Sequence, residues 1–198
     1  MNRKTSTAAF LSCLSVLVIS TDLARSAAAA PENQPAQTPA VGDKAPDFTL
    51  NDLKGQPITL SELTAKSPVV LVVLRGYPGY QCPICSIQVG SLLGKAKELS
   101  AAKAQVVFVY PGPANQLNDR AGEFIKARKL PENFSFLTDP DYKFTESYGL
   151  RWNAPRETAY PSTFVIDPQG TVRFAKGSRT HGDRANVSDI LNALPMAN

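Results

Sequence analysis

Cysteine and histidine are scarce in this chain. Three of its 198 residues are cysteine and one is histidine. A soft-metal site beyond the N-terminal segment therefore has at most two thiolates and one imidazole to draw on. Blocks of like charge are also missing. The formal charge is +4, part of it in the first 29 residues, and no run of five basic residues occurs. Nucleic-acid binding has no electrostatic footprint here. Long apolar runs are absent as well. The candidate Ala8–Ser20 has 13 residues, short of the roughly 20 a membrane-spanning helix needs. No internal repeat and no second shift of composition divides the rest, so the length implies one domain able to bury a proper core.

What is present begins with a leader pattern. Arg3 and Lys4 form a basic start, Ala8–Ser20 an apolar stretch, and Ala27–Ala30 a small-residue cleavage region. This predicts a signal peptide over residues 1–29, with an uncleaved membrane anchor as the alternative. Cys13 lies inside the apolar stretch rather than after it, which argues against lipidation. Residues 30–41, rich in Pro, Ala and polar side chains, predict a flexible linker. Residues 42–198 form the domain. A leader implies a periplasmic or secreted location, where disulfides persist, and no stable membrane insertion once it is removed.

Hydrophobic patterning then predicts the elements. Phe48–Leu50 and Ile58–Leu60 alternate around a Lys54-Gly55 turn, as a hairpin does. Val69–Leu74 and Val106–Tyr110 are continuous apolar runs, the mark of strands buried on both faces. Between them, Ile87, Val89, Leu92, Leu93, Ala96 and Leu99 recur at helical spacing. Helices are expected over Asn115–Lys129, Tyr142–Tyr148 and Val187–Leu194, and a strand over Phe134–Leu137. Thr163–Ile166 and Val172–Ala175 flank the turn Asp167-Pro168-Gln169-Gly170. The order predicts an α/β fold, a central mixed β-sheet flanked by helices, with an N-terminal β-hairpin.

The chemistry concentrates in RGYPGYQCPICSIQ, where Cys82 and Cys85 open a helix. A disulfide across such a short loop constrains little, which argues against a structural staple. At a helix N-terminus the first sulfur lies near unpaired N–H groups that favour the thiolate, and the second lies one turn in and more buried. Cys82 is thus assigned attack on a substrate sulfur or oxygen, and Cys85 resolution. Pro83 takes the first helical position, where its missing N–H costs nothing. Arg75 is placed either to stabilise the thiolate or to sit as a solvated strand-end cation. Tyr77 and Tyr80 either wall the site or pack under the loop, and Gly76 and Gly79 let that loop bend. A second informative run is YPSTFVIDPQG, where Pro161 precedes a strand and is a candidate cis proline. Asp167 belongs to the following turn. Trp152 reads as core or pocket wall.

The Cys-x-x-Cys, the YPSTFVIDPQG run and the opening GDKAPDFTLNDLKGQPITLSEL together resemble the thioredoxin superfamily. The similarity is to its AhpC/TSA, peroxiredoxin-like (redoxin) branch and to exported thioredoxin-like disulfide reductases, from about Gly42 to Leu194. The resemblance implies a thioredoxin-like fold and a thiol oxidoreductase without a bound cofactor. Hydroperoxides or protein disulfides would be its substrates, and a thiol reductant such as a thioredoxin-like protein its partner. It also implies a cis Pro161 facing the dithiol, with the Tyr160 backbone pairing with an extended substrate chain. Tyr160, Pro161 and Arg75 are accordingly the expected substrate-binding residues.

The departures are specific. Peroxiredoxins carry Pro-x-x-x-Thr/Ser-x-x-Cys. Counting to Cys85, Pro78 fits but Cys82 replaces the hydroxyl residue. Counting to Cys82, Arg75 and Gly79 stand in the two places. The peroxide-orienting arginine of that family falls where Pro161 is, leaving Arg75 or Arg151 as substitutes. On the thioredoxin side, Gln81 stands where tryptophan precedes the first cysteine. Two alternatives compete with an enzyme. One is a copper-binding thioredoxin-fold chaperone, using both cysteines and His181. However, His181 follows the last strand pair and reads more simply as solvated or capping, with Asp183 or Ser188 as the cap of the last helix. The other, an adhesion or scaffold module, leaves the paired cysteines unexplained.

Overall fold

The computed structural model describes residues 1–2, 36–79 and 81–195. Leader residues 3–29, the first half of the linker (30–35), Tyr80 and residues 196–198 lie outside them. The elements described below all belong to the unit that starts at Pro35.

The apolar run in the middle of the sequence forms β3 (Val69–Val73), buried at all five positions. Successive side chains of a strand point to opposite faces, so one strand serves two cores. Val70 and Val72 join Val89, Leu92, Tyr110 and Phe136 on one face. Val69, Leu71 and Val73 join Val107, Leu137 and Phe164 on the other. β3 pairs in parallel with β4 (Gln105–Gly112) and antiparallel with β6 (Ser162–Ile166). Beyond β4 come β5 (Phe134–Pro140) and the hairpin of β1 (Thr49–Asp52) and β2 (Pro57–Thr59), and beyond β6 comes β7 (Val172–Gly177). The sheet order is β2-β1-β5-β4-β3-β6-β7, the mixed sheet with an N-terminal hairpin expected from sequence. Parallel neighbours need crossovers. α2 (Pro83–Gly94) and α3 (Ala96–Ala101) connect β3 to β4, and α4 (Leu117–Ile125) connects β4 to β5. The short α1 (Leu60–Thr64) and α5 (Lys143–Ser147) follow β2 and β5, and α6 (Val187–Ala193) follows β7. Among the described residues no helix is long and apolar enough to cross a membrane.

Several expectations need correction. The helix expected through Leu99 is two helices, broken at Lys95, whose φ of −109° and ψ of 19° are not helical. Ile87 is not a core residue but 67% exposed. Cys85, Val89 and Leu92 set the buried stripe, and Ile87 lies about 200° around the helix from Cys85. Gln88 is buried instead and donates to the Thr163 hydroxyl at 3.1 Å. α4 is shorter than expected, with Arg128 donating to the Phe124 carbonyl at its end. β5 continues past the expected end at Leu137 through Thr138-Asp139-Pro140, because Pro111 and Gly112 of β4 extend alongside it. The residue before α6 is Asn186, without a side-chain cap bond, and Asp183 pairs with Lys176 at 2.9 Å. Asp167 does belong to the turn, where one carboxylate oxygen accepts from the Gln169 and Thr171 N–H groups.

Candidate active site

The dithiol is presented by the chain leaving β3. Leu74 still bonds to the Val109 carbonyl at 2.9 Å, and then Gly76 turns the chain with φ +71°. A Cβ at Gly76 would lie 1.9 Å from the Pro111 carbonyl oxygen, so glycine is required twice over, by conformation and by space. Tyr77 anchors the loop by donating to the Asn115 carbonyl at 2.6 Å and packs against the core, which decides between its two sequence readings. Gln81 accepts from the buried Tyr110 phenol at 2.6 Å and donates to the Arg120 carbonyl at 3.0 Å. It ties the loop to β4 and α4. Burial pushes the Tyr110 phenol up, which keeps it a donor.

Cys82 is the N-cap of α2 and Pro83 its first residue. The Cys85 N–H donates to the Cys82 sulfur at 3.3 Å. Both thiols are free. Cys85 is the more buried sulfur, at 1% exposed, but Cys82 is buried too, at 4%. The flanking core and the loop after β7 cover it. The electrostatics nevertheless separate the two. Cys82 is pushed down to about 5, first by the hydrogen bond from the Cys85 thiol, against burial, and then by the Cys85 N–H and the charges of Arg184 and Arg75. Cys85 is pushed far above the ordinary thiol range by that same hydrogen bond, by burial and by the charge on Cys82. One proton is shared so that Cys82 holds the charge and Cys85 holds the hydrogen.

Two cations act on the sulfurs, Arg75, which was expected, and Arg184, which was not. Arg184 brings Nη2 to 3.5 Å from the Cys85 sulfur and 3.9 Å from the Cys82 sulfur. Sequence reasoning missed it. It lies in a polar loop with no periodicity, and only the fold carries it across a hundred residues of sequence. Arg75 contributes charge to Cys82, but Glu157 grips its guanidinium through Nε and, at 2.9 Å, through Nη2. Burial raises Glu157, and the bonds from Arg75 and His181 outweigh it and hold its carboxyl below the usual range. His181 is 3.0 Å from Glu157, so it is neither a helix cap nor merely solvated. Arg151 braces the neighbouring loop, donating to the Trp152 and Thr158 carbonyls at 2.7 Å each and stacking on Tyr142. It is spent as a scaffold. Among the described residues no group of three His, Cys, Asp or Glu side chains is arranged to hold a metal.

The Pro161 region also differs from the expectation. None of the described peptide bonds is cis, so Tyr160–Pro161 is trans, the isomer that the X–Pro amide favours by default. The Tyr160 N–H is taken by the Leu150 carbonyl at 2.8 Å, and its carbonyl accepts from Ser162. That N–H is therefore not available to pair with a substrate chain. The Pro161 carbonyl accepts from the Ser178 N–H at 2.9 Å, which fixes the start of the loop carrying Arg184. The Tyr160 ring stacks on Trp152 at 4.9 Å, with Arg179 5.2 Å from its centroid and His181 against Trp152. Trp152 lies half-buried between the rings of Tyr160 and His181, and His181 links it to Glu157.

A mixed sheet whose central strand leads into a dithiol at a helix start defines a thioredoxin-like fold. Residues 41–175 match the model of the AhpC/TSA family. The chain belongs to that family of peroxiredoxin-like thiol oxidoreductases. It is 30% identical to the chloroplastic peroxiredoxin Q of Sedum lineare, over 77% of this chain and 76% of that one. It is 26% identical to peroxiredoxin Bcp of Bacillus subtilis, over 78% and 94%. Among solved structures it resembles peroxidoxin BcpB from Mycobacterium tuberculosis, with a TM-score of 0.65 and 25% identity over 79% of this chain and 96% of that one. It also resembles a thiol:disulfide interchange protein DsbE, so described as putative, from Chlorobium tepidum. There the TM-score is 0.58 and the identity 28%, over 80% and 100%.

Proposed function

We propose that this protein is an exported thiol peroxidase that reduces hydroperoxides through a Cys82/Cys85 cycle. The observation that carries the proposal is a Cys82 sulfur set at the N-terminus of α2, within reach of the Arg184 guanidinium, yet almost wholly buried. A hydroperoxide is small enough to reach such a sulfur, whereas a protein disulfide needs an exposed one. The Cys82 thiolate attacks the terminal oxygen of ROOH. An S–O bond forms, the O–O bond breaks, and RO⁻ leaves and takes a proton from water. Cys82 is now a sulfenic acid. The Cys85 sulfur attacks it, the S–S bond forms, and water departs with the Cys85 proton. A thiol reductant, such as a thioredoxin-like protein, attacks the disulfide and returns both thiols.

Export rests on the leader pattern of residues 1–29. The experiment for the cycle is stoichiometric oxidation followed by mass spectrometry. One equivalent of hydrogen peroxide should convert the reduced protein to the Cys82–Cys85 disulfide. Cys85→Ser should stop at a sulfenic acid on Cys82 that dimedone traps. Peroxide that leaves both thiols free overturns the proposal.

Disulfide reduction is the second reading. The Cys-x-x-Cys and the likeness to the DsbE structure favour it. The occupied Tyr160 N–H and the buried Cys82 stand against it.

A further inference from the structure

The family resemblance places a peroxide-orienting arginine where this chain has Pro161, and that leaves the peroxidase chemistry short of a donor. Three cations approach the region, and their partners separate them. Arg151 is consumed by main-chain carbonyls. Arg75 lends charge to Cys82, but its Nε and Nη2 are both held by Glu157. Arg184 has no carboxylate within ion-pair distance among the described residues. Its neighbour Asp183 is drawn to Lys176. The guanidinium of Arg184 divides its donors. Nη1 holds the Asp183 carbonyl at 2.7 Å, Nη2 faces both sulfurs, and Nε is buried with no hydrogen-bond partner among the described residues. A buried, unpartnered donor on a charged group is expensive, which marks it as aimed at a ligand. The loop is fixed on both sides of Arg184. Ser178 is bonded to Pro161 and Thr180 on one side, and α6 follows on the other.

We propose that Arg184 is a catalytic residue of the peroxide step, holding the Cys82 thiolate through Nη2 and the departing hydroperoxide oxygen through Nε. The assignment rests on the peroxidase reading above. As the O–O bond breaks, the electron pair moves onto the outer oxygen, and a fixed guanidinium stabilises that negative charge where it develops. Arginine keeps its protons throughout, and water protonates the leaving alkoxide. The family's arginine is thus replaced from another part of the chain, by a loop after the last strand.

The test separates activation of sulfur from orientation of peroxide. Thiolate absorbance gives the fraction of charged Cys82 in wild type, Arg184→Gln and Arg184→Lys. Rates with hydrogen peroxide and with iodoacetamide are then expressed per thiolate. Losing one preorganised donor costs on the order of 100-fold. Arg184→Gln should therefore lose about 100-fold with peroxide per thiolate, with iodoacetamide nearly unchanged. Arg184→Lys, which keeps the charge without the paired donors, should recover only part and serves if the glutamine variant fails to fold. Peroxide and iodoacetamide rates that fall together, or a peroxide rate that does not fall, overturn the assignment. If wild type reacts with peroxide no faster than a free thiol, the peroxidase reading itself is overturned, and this assignment with it.

Discussion

At the scale of residues, the site is a division of labour between two sulfurs three positions apart. Cys82 carries charge because Cys85 donates to it, and Cys85 keeps its proton for the same reason. The sign of the pH effect follows. A Cys82 titrating at about 5 when folded and at about 8.5 when unfolded means that the unfolded chain binds more protons between those values. Stability from this group is fully present above the unfolded value and is lost as pH falls through the folded one. Melting of the reduced protein should show it. The advantage of wild type over Cys82→Ser should shrink as pH falls from about 8.5 to about 5. An advantage that grows instead contradicts the depressed thiol. That Cys82 and Cys85 open a helix with Pro83 at its first position was legible in sequence, because capping is a local property. Arg184 was not, because nothing near it in sequence marks a residue whose partner is a hundred positions away. Tyr160 was misjudged for the same reason: its N–H is claimed by Leu150, a contact only the fold creates.

At the scale of elements, β3 and α2 matter most, and the turn between them sets where the sulfurs sit. Gly76 is the pivot. Gly76→Ala places a methyl against the Pro111 carbonyl at a backbone angle that costs a non-glycine residue about 1–3 kcal/mol before the clash is counted. An unfolding free energy lowered by at least that amount, read from the denaturant midpoint at an unchanged slope, is the expected outcome. A midpoint within error of wild type removes Gly76 from this role. The strands were legible, since five consecutive β-branched or leucine residues admit little else. The phase of α2 was not. Its apolar residues are spread around the helix, so periodicity alone left Ile87 and Gln88 on the wrong sides. The burial of Cys85 and the bond from Gln88 to Thr163 of β6 decide the phase instead.

At the scale of the whole molecule, one sheet separates two cores and brings the β3 exit and the loop after β7 to the same dithiol. β6 lies directly beside β3, so the chain beyond β7 returns to the start of α2, where Cys82 caps the helix. Leu71 stands at the centre of the sheet, fully buried. Leu71→Ala should lower the unfolding free energy by about 2–5 kcal/mol, read from the denaturant midpoint at an unchanged slope. A smaller loss would mean that this face of the sheet is not the packed core described. The alternation of strand and helix made this architecture legible before the site was. The central claim is that the buried Cys82 thiolate is built for peroxide. It is tested most directly by stopped-flow oxidation of the fully reduced protein with hydrogen peroxide, followed by Trp152 fluorescence or by thiol loss. A second-order rate far above that of a free thiol is expected, abolished in Cys82→Ser and retained in Cys85→Ser. A wild-type rate equal to that of a free thiol would contradict it.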